Sequence, residues 1–425
     1  MTPSAVRLAL VGAGSRGMIY GRRAVGAHGA VVTAIAEPRV GRLAASAAEF
    51  GVAPDLAVAS WQQLVAMPGL DVDAVIIATP DRQHVAPAVA FIDQGRPILL
   101  EKPMAPTEAD AVRIADAARA QGVLVCVAHV LRYSDYTRVL KETIDSGRIG
   151  DVVSIEHLEP VGWWHQAHSF VRGNWRREDE SSSMLMSKCC HDIDWLSYLV
   201  GRPATRVSSF GSLSHFTAAN KPAGASSRCL DCAVEPDCPY SARRIYLERV
   251  DDPGARLWPL SVVTDDVSPV GVAKALRTGP YGRCVYDCDN DVVDHQVVNI
   301  EYAGGVTASL TMTAFTPMEF RKTRIFGTRG SIEGDGMSIR VFDFLTATTT
   351  TIQVLDPDDP DATDGHLGAD AALTRDFLAA VQAHDASMIL TSAGESLHTH
   401  QIVWAAERAR RHGTVEVLTH DTWDT

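Results

Sequence analysis

Val6-Arg7-Leu8-Ala9-Leu10-Val11-Gly12-Ala13-Gly14-Ser15-Arg16-Gly17 is the stretch that decides the fold. Its apolar first half, Val6 to Val11, reads as a buried strand, and the glycines open a helix directly after it. That is the context a dinucleotide-binding loop needs. Gly12 permits the tight turn, Gly14 lets backbone approach a pyrophosphate, and Gly17 lets the helix pack on the strand. The first helical residues, Ser15 and Arg16 among them, then offer free N–H groups to phosphate. Further along, Glu101-Lys102-Pro103 follows a second apolar strand of the same unit. Ligands sit at strand C-termini in such sheets, so a lysine at that edge points to hydride chemistry.

Working outward, strands are predicted at 6–11, 31–36, 74–78, 97–100 and 123–128, with helical segments between them. Within 107–120, Ala111, Ile114, Ala115 and Ala118 keep helical spacing. This alternation predicts an α/β chain whose N-terminal domain, residues 1–130, is a doubly wound parallel sheet. The pattern then changes. Segments 151–160, 204–213, 292–302, 305–314, 321–327 and 337–343 read as strands, several with period-two alternation, and Tyr302-Ala303-Gly304-Gly305-Val306 reads as a hairpin turn. The second domain, 131–425, is thus expected to be α+β with an open, largely antiparallel sheet. Helices are expected near 369–383 and 395–412, with a loop at 356–366. The tryptophan- and histidine-rich stretch 161–183 and a cysteine-containing insertion at about 214–285 interrupt this plan, and the insertion shows little apolar pattern of its own.

A length of 425 residues exceeds one ordinary core, which agrees with two domains. Hydrophobic content of 46% and charged content of 21% are those of a soluble globular protein. A formal net charge of −13 disfavours nucleic acid and anionic membrane surfaces as partners. No apolar stretch approaches bilayer length. Met1-Thr2-Pro3-Ser4 runs into the first strand without a basic-then-apolar leader, so the expected location is the cytoplasm. The eight cysteines there read as thiols or metal ligands rather than a disulfide framework.

The Gly12–Gly17 loop, Ala78-Thr79-Pro80 with His84, Glu101-Lys102-Pro103, Gly147-Arg148-Ile149-Gly150 before a strand, and His191-Asp192-Ile193-Asp194 occur in order. With these elements the chain resembles the Gfo/Idh/MocA oxidoreductases (glucose–fructose oxidoreductase, inositol dehydrogenase and relatives). The resemblance implies a Rossmann domain, a second domain whose open sheet packs in homo-oligomers, tightly held NAD(P), and oxidation or reduction at a sugar or polyol carbon. It places Gly12, Gly14, Ser15, Arg16, Gly17, Glu37, Thr79, Pro80, His84, Glu101 and Lys102 around the cofactor. It also implies that Pro103 is often preceded by a cis bond.

Glu37 ends the second strand, where a carboxylate binds ribose hydroxyls and repels a 2′-phosphate. NAD is therefore expected over NADP, although Arg39 stands nearby. Lys102 is the first catalytic expectation: its ammonium can hydrogen-bond the reacting hydroxyl and stabilise developing alkoxide. To serve as a base, a lysine must ionise well below about 10.4. His191 is the expected proton shuttle. Relatives carry Asp four residues before it; this chain has Ser187, which cannot supply that carboxylate, while Asp194 lies three residues beyond and can reach the same helical face. Lys188, Arg132, Tyr133, Trp163, Trp164, His165 and Arg172 are expected near substrate. Aromatic faces suit sugar C–H surfaces, although Trp and Arg equally suit an interface.

Cys229-x2-Cys232-x5-Cys238 opens like a metal knuckle. A structural zinc needs four ligands, and Cys284, Cys288 and His215 are candidates for the fourth. An iron–sulfur cluster and plain reduced thiols are the alternatives. The functional expectation is an NAD(P)-dependent dehydrogenase of a sugar, polyol or sugar derivative. Two other readings stand behind it: an NAD-dependent glycosidase that oxidises its sugar transiently, and a cofactor-binding sensor that has lost chemistry.

Overall fold

Strands with apolar side chains on both faces must be covered on both faces, and that requirement shapes the first half of the chain. In the computed structural model, which describes residues 5–356 and 366–419, the first sheet contains β1 (Arg7–Val11), β2 (Val31–Ala36), β3 (Ala57–Val58), β4 (Ala74–Ile77), β5 (Ile98–Leu100) and β6 (Val125–Val127). Their order is β3-β2-β1-β4-β5-β6, all parallel. Leu8, Leu10, Val75, Ile77 and Leu99 are essentially inaccessible to water, each worth about 1.5–3 kcal/mol of burial. Helices Ser15–His28 and Glu108–Gln121 lie among the connections; Thr107 caps the latter by accepting the Asp110 N–H. The chain reverses its winding between β1 and β4, so a crevice opens at the C-terminal ends of these strands. β3, only two residues long, carries no periodicity and is absent from the sequence reading.

The second sheet holds β7 (Val152–Pro160), β8 (Ala204–Ser212), β9 (His295–Tyr302), β10 (Thr307–Thr313), β11 (Lys322–Gly327), β12 (Gly330–Gly334), β13 (Ser338–Asp343), β14 (Thr348–Gln353) and β15 (Val415–Val417). The order is β14-β13-β12-β11-β7-β10-β9-β8-β15, antiparallel except where β7 meets β10. Gly304 and Gly305, at φ of 83° and 82°, make the expected turn between β9 and β10. Helices Cys190–Val200 and Ala393–His412 cover one face of this sheet. The other face is open.

Three features differ from the sequence reading. The stretch after β7 is helical rather than a loop: Trp163–His165 makes a helical turn that widens into a π-helix over Gln166–Arg172. The 214–285 insertion has a core of its own, in which Phe216, Tyr246, Leu260, Val272 and Leu276 are buried with Ala167 and Val171. These residues sit on short turns, so no period reveals them. The C-terminal helices return to the first unit: Leu373 and Phe377 of helix Ala369–Ala383 are buried with Leu10 and Tyr20, and Leu397 with Phe91 and Leu100. The loop expected at 356–366 lies, from 357 to 365, outside the described residues.

Several histidines are locked inside this fold. Burial pushes His168 and His400 down to about 3, and His400 accepts the Met104 N–H through Nε2, as a neutral ring must. The unfolded chain protonates these rings below about pH 6.5 while the folded chain does not, so stability falls with falling pH in that window and is unaffected above it. Denaturant unfolding at about pH 6.5 and about pH 5 should show a loss of roughly 2 kcal/mol for each such ring, and His168→Gln or His400→Gln should shed its own share of that slope.

Candidate active site

The glycine loop after β1 has the shape its sequence requires. Gly12 sits at φ +92°, and a Cβ there would lie 2.6 Å from the Ala78 carbonyl oxygen; one on Gly17 would lie 2.1 Å from the Gly12 carbonyl oxygen. Gly14 faces open space, with nothing within 4 Å of where its Cβ would be. Helix Ser15–His28 starts with no side-chain cap and no acidic residue in its first turn. Two glycines are thus fixed by protein packing, the third leaves room, and the helix end presents unclaimed N–H groups. These residues fit a dinucleotide pyrophosphate. Glu37 stands beside the loop, buried, with Oε2 accepting the Ala13 N–H (3.0 Å) and Oε1 the Arg39 N–H (2.9 Å). Arg39 itself is exposed.

Arg16 and Glu101, expected to face the cofactor, hold each other. Glu101 Oε1 accepts from Arg16 Nε (2.6 Å) and from the Tyr20 hydroxyl (2.9 Å), and its Oε2 accepts the Lys102 N–H (2.6 Å). The same guanidinium donates to both oxygens of Asp370 (2.6 and 2.9 Å) and to Tyr20. Burial would raise the Glu101 carboxyl, but Arg16 and Lys102 hold it below its ordinary value. His366 approaches the same cluster, with Nδ1 3.1 Å from Asp370 Oδ2.

Lys102, preceding cis-Pro103, extends from the end of β5 and donates through Nζ to the main-chain oxygen of Ser187 (2.7 Å). The position that carries Asp in relatives therefore meets the lysine through its backbone. Its hydroxyl is turned inward to the Ser183 carbonyl (3.0 Å). His191 opens the helix Cys190–Val200, separated from Met184–Ser187 by a break at Lys188 and Cys189. His191 is 5% exposed, and its Nδ1 has no hydrogen-bond partner among the described residues. Burial, reinforced by Lys102, His129 and His366, holds this imidazole well below its ordinary value, and therefore neutral. The rings of His129 and His366 lie 5.7 and 6.0 Å from it. His129, His366, Asp370 and Tyr20 belong to no motif that a sequence reader would single out. Asp370 and His366 reach the site only because the C-terminal helix folds back.

Other expected residues have moved into supporting roles. His84 is buried between two carbonyls, Thr79 O and Pro103 O, each 2.8 Å from a ring nitrogen, and so straps the loops after β4 and β5 together. Thr79 donates to the Gln83 carbonyl, and Pro80 is exposed. Arg132 is committed to Asp194 by two bonds of 2.7 Å, which also removes Asp194 as a partner for His191. Tyr133 donates or accepts at Thr391 (3.0 Å), away from Lys102. Lys188 pairs with Glu159 (3.0 Å), which also meets Arg321. Burial alone would raise Asp192, yet Arg321 and His157 hold it well below its ordinary value.

His165 ends the helical turn Trp163–His165 and is half-buried. Burial first, then Lys188 and His168, with Lys102 also contributing, hold its ring well below its ordinary value. Trp164 and His165 each pack 4.9 Å from Trp258 of the insertion, so an aromatic wall is shared between segments far apart in sequence. Trp163 is 39% exposed and donates to Pro239 O. Arg172 is wholly internal to the insertion's core and is not available to a substrate there.

The comparisons with known proteins agree with this geometry. The family described as "Oxidoreductase family, NAD-binding Rossmann fold" matches residues 6–129, and "Oxidoreductase family, C-terminal alpha/beta domain" matches 141–417. Inositol 2-dehydrogenase 1 of Saccharopolyspora erythraea is 33% identical over 205 residues, covering 48% of this chain and 57% of that protein. A 2,7-anhydro-N-acetylneuraminate hydratase of Mediterraneibacter gnavus is 28% identical over 211 residues, covering 49% of this chain and 54% of that protein. The chain thus matches little more than half the length of these curated relatives. A levoglucosan dehydrogenase structure, in complex with NADH and levoglucosan, shares the fold with a TM-score of 0.69 at 20% identity, over 98% of this chain and 100% of that one. With both of its halves matched, this chain belongs to the Gfo/Idh/MocA oxidoreductase family.

Proposed function

We propose that this protein is an NAD(P)-dependent dehydrogenase of a sugar, polyol or sugar derivative. The observation that carries the reading is a lysine ammonium, Lys102, held on the Ser187 carbonyl, with the buried, neutral His191 close behind on the chain and its Nδ1 unpartnered among the described residues, at the edge of a sheet whose glycine loop fits a dinucleotide. Gly12, Gly14, Gly17 and the start of the first helix would hold the pyrophosphate, and Glu37 the adenosine ribose. When bound, the dinucleotide supplies the hydride acceptor. Lys102 spends one N–H on Ser187 O and keeps two for a substrate hydroxyl oxygen, whose developing negative charge it stabilises. His191 takes the hydroxyl proton at Nδ1 as the carbon–hydrogen bond breaks and the carbonyl forms. His366, backed by Asp370, stands where it can relay that proton onward, a role that Ser187 cannot take. Glu37 favours NAD over NADP by charge repulsion of a 2′-phosphate. The open face of the second sheet, with Phe210 69% exposed, supports self-association, which light scattering of the purified protein tests.

A second reading is supported by the aromatic wall of Trp164, His165 and Trp258 and by a relative named as a hydratase. Here the sugar is oxidised transiently to a ketone, and the acidified hydrogen on the adjacent carbon leaves as a proton. The substituent one carbon further is expelled as a double bond forms between those two carbons, water adds in its place, and the hydride returns. The same lysine and histidine serve both halves, with no net NADH.

A panel of free sugars, polyols, anhydro-sugars and aryl glycosides, assayed with NAD and with NADP for reduced cofactor and for product together, separates the two. Growth of NADH is expected; product without net NADH would establish the closed cycle instead. Lys102→Ala should lower kcat by roughly 10²–10⁴-fold with dinucleotide binding retained, and unchanged turnover would remove the reading altogether. Glu37→Ala should narrow the NAD-over-NADP ratio in kcat/KM; an unaltered ratio would remove Glu37 from cofactor selection.

A further inference from the structure

We propose that Cys229, Cys232, Cys238 and Cys284 form a four-thiolate zinc site that clasps the 214–285 insertion shut. The first three come from two short turns, Cys229–Asp231 and Glu235–Asp237 with the cysteine that follows each. The fourth comes from the insertion's far end. Arg228 and Arg283 bridge as β-partners and the Cys284 N–H donates to Ser227 O (2.8 Å), which sets the far end beside the knuckle. All four cysteines line one small cavity together with Arg172 and Tyr286. Neither of the other candidates lines it: Cys288 donates to the Cys284 carbonyl, and His215 Nε2 meets the Tyr286 hydroxyl.

Two further observations point to an ion at the cavity. A main-chain N–H, that of Ser226, is aimed at the Cys232 sulfur (3.4 Å). A neutral thiol is a weak acceptor, whereas a metal-bound thiolate is a strong one. The second observation is Arg172, which is 1% exposed. Its partners among the described residues are the carbonyls of Arg283 and Tyr240 and the sulfur of Cys229 (3.3 Å), and its remaining terminal nitrogen has none. A cation buried without a counter-charge is costly. A divalent zinc with four thiolates carries two net negative charges and supplies that partner.

The four sulfurs surround the cavity without closing on its centre: among the described residues no three His, Cys, Asp or Glu groups stand as a ready metal cluster. Binding therefore requires the thiols to rotate inward, with four S–H protons released to solvent as four zinc–sulfur bonds form. The clasp is structural and independent of the proposed reaction; its reach into function is through Trp258, which the same insertion places against Trp164 and His165.

Elemental analysis of the full chain, expressed in zinc-supplemented medium and purified without chelator, should give about one zinc per chain. Cobalt(II) added to metal-stripped protein should give a thiolate-to-metal charge-transfer band and the intense d–d bands of a tetrahedral site. Cys284→Ser should lose the zinc and the band, and Cys288→Ser should keep both. Less than about a tenth of an equivalent of zinc, or a cobalt titration of the unaltered chain without the band, would overturn the proposal. A full equivalent retained in Cys284→Ser, or iron with visible absorbance in place of zinc, would overturn it equally.

Discussion

The buried charge cluster of Arg16, Glu101 and Asp370 is the constraint on which the rest of the structure depends. Arg16 belongs to the first turn after the glycine loop, Glu101 to the end of β5, and Asp370 to a helix that arrives near the end of the chain. One guanidinium, with five donors in a planar fork, meets both carboxylates, and the Tyr20 hydroxyl completes the set. Removing one partner from such a cluster typically costs about 3–5 kcal/mol, because the remaining charges stay buried. The cluster sets the distance between the cofactor loop and Lys102, the residue next to Glu101. The placement of Lys102 thus depends on charges drawn from three distant segments of the chain.

Local signals were legible in the sequence. The glycine loop, five of the six strands of the first sheet, the hairpin at Gly304-Gly305 and the lysine after β5 each depend on a few consecutive residues, and each stands where it was expected. What could not be read depends on partners far apart in sequence. Arg132 and Asp194, far apart in sequence, hold one another through two buried hydrogen bonds. Arg16 and Glu101, 85 residues apart, hold each other directly, a contact that no local signal announces. β14, a run of threonines with mostly exposed side chains, and β12, bounded by glycines, offer no alternation to detect. The insertion's core is assembled from isolated aromatics on short turns, invisible to any periodic reading.

Ser187 shows how a departure from a family's pattern is absorbed. The family resemblance implies a carboxylate there; in this chain the backbone carbonyl of the same residue takes the lysine N–H. The charge that is lost is matched by the state of the surrounding histidines. His191, His129 and His165 are all held neutral by burial, so the ammonium faces dipoles rather than other cations. A site with one fixed positive charge and several neutral imidazoles is suited to stabilising a single developing negative charge.

The return of the C-terminal helices has a consequence for how the protein comes into being. Leu373, Phe377 and Leu378 join an apolar cluster that includes Leu8, Leu10, Tyr20 and Ile76 from the first hundred residues. During synthesis those early residues leave the ribosome with one flank of their sheet uncovered. At about 5–20 residues per second, the covering helix follows after a delay on the order of tens of seconds. The nascent first half therefore exposes a greasy seam through most of its translation. The same helix that delivers Asp370 to Arg16 is the one that finally closes it.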